Sequence, residues 1–222
     1  MMQVEVALGY HGEGASAPME LHSALIAQQY RAVRLSKNHY LVHWQQHTQL
    51  WCVVNERDDL GDNTPFEYAT HVDEGAFYGW PWYFIGGHED PRLARGRPDL
   101  EDKVTVPDVL MQAHSAPLQM VFYQRDTFPA EYKGSAFVAM HGSWNREQRT
   151  GYKVVRLLFD GRGKPTGEYE DFMTGFVVSD TQVWGRPVGV AVANDGSLFV
   201  TEDGSGTIWR VAYQGSVTSA GR

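Results

Sequence analysis

Disulfide cross-links are excluded from this chain. Its one cysteine, Cys52, lies inside the apolar run Leu50-Trp51-Cys52-Val53-Val54 and has no evident activating partner, which suits a small buried side chain better than a nucleophile. No apolar stretch approaches the ~18 residues of a membrane-spanning helix. Positive charge is scarce: 19 Lys and Arg face 27 Asp and Glu, and the net charge of −8 with no basic cluster argues against a general nucleic-acid surface. Several motifs are missing, and each absence closes a class. There is no Gly-x-Ser-x-Gly elbow, no Cys-x-x-Cys, no His-Glu-x-x-His, no Walker-type phosphate loop, and no Gly-x-Gly-x-x-Gly leading a strand into a helix. Met1 to Gly14 lacks the charged and apolar regions of a signal peptide, so the chain as written is expected to be soluble and not exported.

Helical pattern is also thin. Glu20 to Val33 carries Leu21, Leu25, Ile26 and Val33 at a loose helical spacing, and no long helix is expected after residue 40. What the chain has instead is 23 glycines and 13% aromatics, a composition of short strands and tight turns. Strands are expected at Leu50 to Val54, Pro117 to Tyr123, Ser135 to His141, Tyr152 to Phe159, Glu168 to Phe176, Pro187 to Ala193, Ser197 to Glu202 and Thr207 to Tyr213. Asn194-Asp195-Gly196 is a strong hairpin signal. Thr64 to Gln112 is expected to be mostly loop. Within it, His88-Glu89-Asp90 suits a solvated turn better than a metal site.

A weak internal repeat ties these strands together. Gln49 to Glu56, Gly134 to His141 and Gly196 to Asp203 are each a strand that ends in a polar group. Their irregular spacing excludes a tight solenoid and fits propeller blades carrying insertions; a β-sandwich is the alternative. In a propeller the polar strand ends converge at one end of the channel. That would bring together residues 56–62, His114-Ser115, residues 141–146, Arg186 and Glu202-Asp203.

The acidic bend after Val54 is the most unusual stretch. Six of the nine residues from Asn55 to Asn63 are Asn, Asp or Glu, which turn the backbone and offer oxygens to cations. An EF-hand is excluded, because neither Asp58 nor Asp59 starts the required carboxylate spacing. Together with Phe77-Tyr78-Gly79-Trp80-Pro81, the string Asn55-Glu56-Arg57-Asp58-Asp59-Leu60-Gly61-Asp62 resembles the sorbosone dehydrogenase branch of the soluble pyrroloquinoline-quinone (PQQ) sugar dehydrogenases. The resemblance runs from about Leu50 to Tyr213.

The resemblance implies an all-β fold, a partial six-bladed β-propeller of the quinoprotein sugar dehydrogenase type with about three blades present, the carboxy-terminal half of the family's ring. The expected organisation is a poorly defined segment over residues 1–35, the partial propeller over 36–214 and a flexible tail over 215–222. It implies oxidation of a sugar or aldose by hydride transfer to PQQ, with Ca²⁺ as the polarising ion. Glu56, Arg57, His114, Trp144, Asn145, Arg146 and Arg186 are the implied cofactor contacts, and Asp58 and Asp59 the implied metal site. Lys37 and Asn38 fall near a family segment that carries Arg-Asn. A PQQ tricarboxylate suits bidentate arginines, and its flat ring suits an aromatic lid. None of the nine histidines matches the family's general base, so no catalytic residue is assigned. The implied partners are a sugar and an external electron acceptor, with self-association through uncovered blade edges. Family members are usually periplasmic or secreted, which suggests a missing beginning here. The alternatives are a non-catalytic propeller that binds a ligand or protein, and the product of a disrupted gene.

Overall fold

The computed structural model describes residues 2–9, 31–36 and 39–43 as backbone strands and residues 49–215 in full. In chain order the strands are β1 (Met2–Gly9), β2 (Arg31–Ser36), β3 (His39–His43), β4 (Leu50–Val54), β5 (Glu67–Val72), β6 (Tyr83–Phe84), β7 (His88–Glu89), β8 (Val109–Met111) and β9 (Pro117–Phe122). There follow β10 (Ala136–Met140), β11 (Lys153–Phe159), β12 (Pro165–Met173), β13 (Val177–Ser179), β14 (Gln182–Val183), β15 (Pro187–Val192), β16 (Leu198–Glu202) and β17 (Thr207–Tyr213). Among the described residues the helical turns are short 3-10 segments, and no helix is long and apolar enough to cross a membrane.

Three antiparallel sheets form three successive blades of a β-propeller. The first runs β2-β3-β4-β5-β8, the second β9-β10-β11-β12 and the third β15-β16-β17-β1. Strand β9 lies against β3 and β4, and β15 lies against β9 and β10, so each blade repeats the contact of the one before it. The third blade is closed by the other end of the chain: Met2 pairs with Tyr213 and Gly9 with Thr207.

Side-chain alternation explains why the blades stack. Along β10, Ala136, Val138 and Met140 face one way and meet Trp51, Val53, Val109 and Met111 of the first blade. Phe137 and Ala139 face the other way and meet Val190, Leu198, Val200 and Val211 of the third. All five residues of β10 are buried, which is why this strand is a continuous apolar run. Phe137 anchors an aromatic cluster, with Phe172 at 4.5 Å and Tyr132 at 6.3 Å between ring centroids.

Several expectations need correction. The stretch from Thr64 to Gln112 contains β5 and β8, although it carries little apolar pattern. Strand β5 buries polar residues: Glu67 takes backbone N–H groups, and the Thr70 hydroxyl donates to Asp108 at 2.9 Å. The helical spacing over Glu20 to Val33 ends in strand from Arg31, and residues 20–30 lie outside the described residues. The strand expected at Glu168 to Phe176 runs instead from Pro165 to Met173. A tight turn at Asp160–Gly163 starts it early, with the Asp160 amide donating to the Lys164 carbonyl at 2.8 Å. The hairpin at Asn194-Asp195-Gly196 joins β15 to β16 as expected, with Gly196 at φ +84°. Cys52 is half-buried in β4, and burial, with the charge of Asp108 adding to it, pushes its thiol up to about 12.

Phe137→Ala should remove the anchor between the second and third blades and cost about 3–5 kcal/mol in denaturant unfolding. Val178→Ala, at an exposed site, should change stability by less than about 0.5 kcal/mol.

Candidate functional site

The repeated strands β4, β10 and β16 end on the same side of the molecule. After β10, the His141 Nε2 lies 3.1 Å from both carboxylate oxygens of Asp203, the residue that follows β16. Arg186, just before β15, sets its Nε 2.9 Å from Asp203 Oδ1. Arg146 donates from Nη2 to Asn63 Oδ1 at 2.8 Å, and the Glu147 amide donates to Asp62 Oδ2 at 3.2 Å. The expected convergence of the acidic bend, residues 141–146 and Arg186 is therefore present.

A cavity of about 300 Å³ opens at this end. Its wall comes from three stretches: residues 55–59, then His114 and Ala116, then Gly142, Trp144 and Asn145, with Arg92 reaching in from a fourth. Of the residues expected at a site, Glu56, Arg57, Asp58, Asp59, His114, Trp144 and Asn145 line it. Arg146 and Arg186 lie outside the wall, held on Asn63 and Asp203. Lys37 and Asn38 lie outside the described residues.

Arg57 is not free to swing. Its Nη2 donates to Asp90 Oδ1 at 3.2 Å, and its Nε lies 2.7 Å from Asp90 Oδ2. Arg92 grips the same carboxylate with its backbone N (2.9 Å), Nε (3.1 Å) and Nη2 (2.7 Å). Burial opposes the charge on Asp90, but hydrogen bonds from Arg92 and the charges of both guanidiniums outweigh it and hold the carboxyl below its usual range. The string His88-Glu89-Asp90 is thus split by role. Asp90 joins this ion pair, Glu89 accepts the Arg95 amide, and His88 packs 5.5 Å from the Phe84 ring.

His114 has both ring nitrogens engaged, Nδ1 with Asp58 Oδ1 at 3.1 Å and Nε2 with the Gly61 carbonyl at 2.8 Å. Strain collects on this wall. Asp59, His114 and Ala116 have φ of 72°, 63° and 50°, in the left-handed region that side chains disfavour. Gly142 sits at φ +107°, and a Cβ there would fall 2.4 Å from the Tyr152 ring. Only glycine fits this close approach.

Beneath the wall lies a buried carboxyl that sequence patterns do not single out. Glu67 is 1% exposed. It accepts the amide of Glu56 at 2.7 Å and that of Ala116 at 3.4 Å, tying together two stretches that line the cavity. Burial pushes it up to about 8, more strongly than these two amides pull it down, with Glu56 and Asp58 adding to the rise. Glu202 shows the opposite outcome. Burial opposes its charge as well, yet Ser205 and the amides of Arg186, Gly204, Ser205 and Thr207 donate to it, and it is lowered. That cradle shapes the loop presenting Asp203.

Arg92, Ala116 and Glu67 are the residues sequence reasoning missed, while Asn55 and Gly142 fall inside stretches it singled out without a role of their own. Gly142, directly after a strand, carried a usable signal; Arg92 and Glu67 lie in the stretch whose strands went unrecognised.

Two buried polar atoms at this end lack a hydrogen bond, Asn145 Oδ1 and Arg146 Nε, whereas Arg57 Nε is taken up by its ion pair with Asp90. One acceptor and one cationic donor left open suit a polar ligand. Among the described residues no three of His, Cys, Asp and Glu converge as metal ligands. The Asp58 carbonyl already accepts from Arg57 Nη1, and the Gly61 carbonyl from His114.

Comparison with known proteins bears on this site. Residues 99–214, just over half of the chain, match the family model described as TrAA12-like. An uncharacterised protein of Borreliella burgdorferi is 34% identical over 162 residues, 72% of this chain and 42% of that protein. A pyrroloquinoline quinone-dependent pyranose dehydrogenase of Coprinopsis cinerea is 33% identical over 121 residues, 46% of this chain and 16% of that protein. Among solved structures, a Trichoderma reesei protein of Carbohydrate-Active Enzymes Family AA12 aligns with TM-score 0.62 at 23% identity, over 75% of this chain and 50% of its own. The holo pyranose dehydrogenase PQQ domain from Coprinopsis cinerea aligns with TM-score 0.57 at 22% identity, over 74% and 51%. These structural likenesses establish the shared fold. The chain spans about half the length of those solved structures and less than half of the curated relatives it matches.

Glu67→Gln gives a sharp pH test. A carboxyl raised to about 8 holds a proton that its unfolded counterpart, at ~4.3, has lost. Its contribution is therefore full below ~4.3 and is lost as pH rises through the folded value. Glu67→Gln should match the parent near pH 5 and be more stable by a few kcal/mol at pH 9, as read from denaturant midpoints.

Proposed function

The chain belongs to the TrAA12-like family, related to PQQ-dependent sugar dehydrogenases, and on that premise we propose that its cavity is part of a PQQ site for oxidising a sugar or aldose. The observation that carries this reading is a pair of open buried atoms, Asn145 Oδ1 in the wall of the polar cavity and Arg146 Nε on the next residue. Arg146 would bind a carboxylate through its open Nε, and Arg57 and Arg186 would add positive charge from their places on Asp90 and Asp203. Asn145 would hydrogen-bond the cofactor's polar edge, while Glu56 and His114 would shape the wall around it. Trp144, 80% exposed, would cover the flat ring.

Charge decides whether such a cofactor is tolerated. Glu56, Asp58 and Asp59 crowd the wall, and Arg57 and Arg92 already share Asp90. A tricarboxylate alone would be repelled, so the reading requires a divalent cation such as Ca²⁺ beside Asp58 and Asp59. Such a quinone would supply a hydride acceptor, and a cation held by Asp58 and Asp59 would supply Lewis-acid polarisation. An external electron acceptor and a periplasmic or secreted setting go with this reading. We assign the propeller to residues 36–214, to which β1 and β2 add strands of the third and first blades.

A non-catalytic, ligand-binding module is the second reading, and one observation favours it. His114, the histidine in the cavity wall, has no ring nitrogen left for a substrate proton. No general base is assigned to the described residues.

PQQ with Ca²⁺ should quench tryptophan fluorescence saturably, and Arg146→Ala should weaken that binding at least ~10-fold, the usual order for a lost charge-assisted contact. Sugar-dependent dye reduction by the chain with PQQ and Ca²⁺ is expected to be absent. Robust turnover would require a base that His114 does not supply.

A further inference from the structure

We propose that Trp80, seated on Arg92, is a sugar-stacking subsite beside the cavity, and that the carbohydrate taken there is a neutral oligosaccharide rather than a single pyranose. This rests on the sugar-oxidising reading and extends it to substrate length.

Trp80 is a large apolar side chain left 52% exposed. The Arg92 guanidinium lies 5.6 Å from its ring centroid, and among the described residues no aromatic ring stacks on it. One face is thus backed by a cation, and the indole still has free surface. Arg92 is itself part of the cavity wall, so Trp80 stands one side chain away from the site. Its backing is rigid. Three N–H groups of Arg92 hold Asp90, which is held in turn by Arg57 from the cavity floor.

A second indole–arginine contact stiffens this arm. Two residues on, Trp82 carries the Arg97 guanidinium 5.2 Å from its centroid. Arg97 is fixed by Asp99, with Nε and Nη2 each at 2.8 Å. Trp82 is half-buried and packs 6.4 Å from the Phe77 ring, so it braces the arm and leaves Trp80 as the exposed indole. An exposed indole backed by a cavity-wall arginine, whose charge a buried aspartate already holds, is a ready stacking face beside the site.

The chemistry matches a chain of sugars. A pyranose has an apolar C–H face that lies flat on an indole, and hydroxyls at its rim that meet carboxylate and guanidinium groups. The ligand should be neutral. Each guanidinium is already paired, and Glu56, Asp58 and Asp59 in the adjacent wall would repel a uronic acid.

Calorimetry on the full chain, with glucose, cellobiose, cellotetraose, maltotetraose and xylotetraose, tests this, with PQQ and Ca²⁺ titrated in parallel. At least one tetraose should bind about 10-fold or more tightly than its monosaccharide. Trp80→Ala should abolish that increment while leaving monosaccharide and PQQ binding within about twofold, and Trp80→Phe should keep part of it. Affinity independent of length in every series, or an unchanged increment in Trp80→Ala, overturns the subsite. PQQ binding without any length dependence sinks this inference and spares the cofactor reading. Length-dependent sugar binding without PQQ binding does the reverse.

Discussion

Burial of β10 on both faces is the constraint from which the site follows. A strand whose every side chain is packed against one neighbouring blade or the other cannot slip by one residue, because the slip would exchange Phe137 for Ala136 and Val138 in spaces of different volume. Its register fixes where the strand stops, at Met140, and therefore where His141 to Asn145 begin. Strands β4 and β16 repeat that logic on either side. The polar ends meet because the apolar parts are aligned.

Three buried carboxyls around this end show how the number of partners sets the charge state. Asp90 has two guanidiniums and is lowered. Glu202 has, among the described residues, no ion pair but several N–H donors and the Ser205 hydroxyl, and is also lowered. Glu67 has two amides, one of them at 3.4 Å, and rises. Burial acts against the charged form in all three, so the donor set decides the sign. Two of these carboxyls brace the cavity wall and the third shapes the loop carrying Asp203.

Much of the architecture was legible in the sequence because most strands of the second and third blades, and β4 of the first, are apolar runs. Leu50–Val54 and Thr207–Tyr213 begin and end where the pattern puts them, and the turn at Gly196 announces its hairpin. Strand β5 was not legible because Glu67 and Thr70 take inward positions that apolar residues normally fill. Strand β1 was not legible either, because its partner lies at the far end of the chain and no local pattern reports such pairing. The acidic bend was visible as composition. Arg92 was invisible for a related reason: it reaches the cavity only because Asp90, two residues earlier, is drawn inward by Arg57.

The unreactive Cys52 makes the chain a convenient frame for distance measurements. Its thiol stays protonated at neutral pH, whereas an introduced surface cysteine ionises near ~8.5 and takes a maleimide or spin label readily. Probes placed at Trp144 and Thr181 would report the separation of the rim from the β13–β14 hairpin without any background substitution.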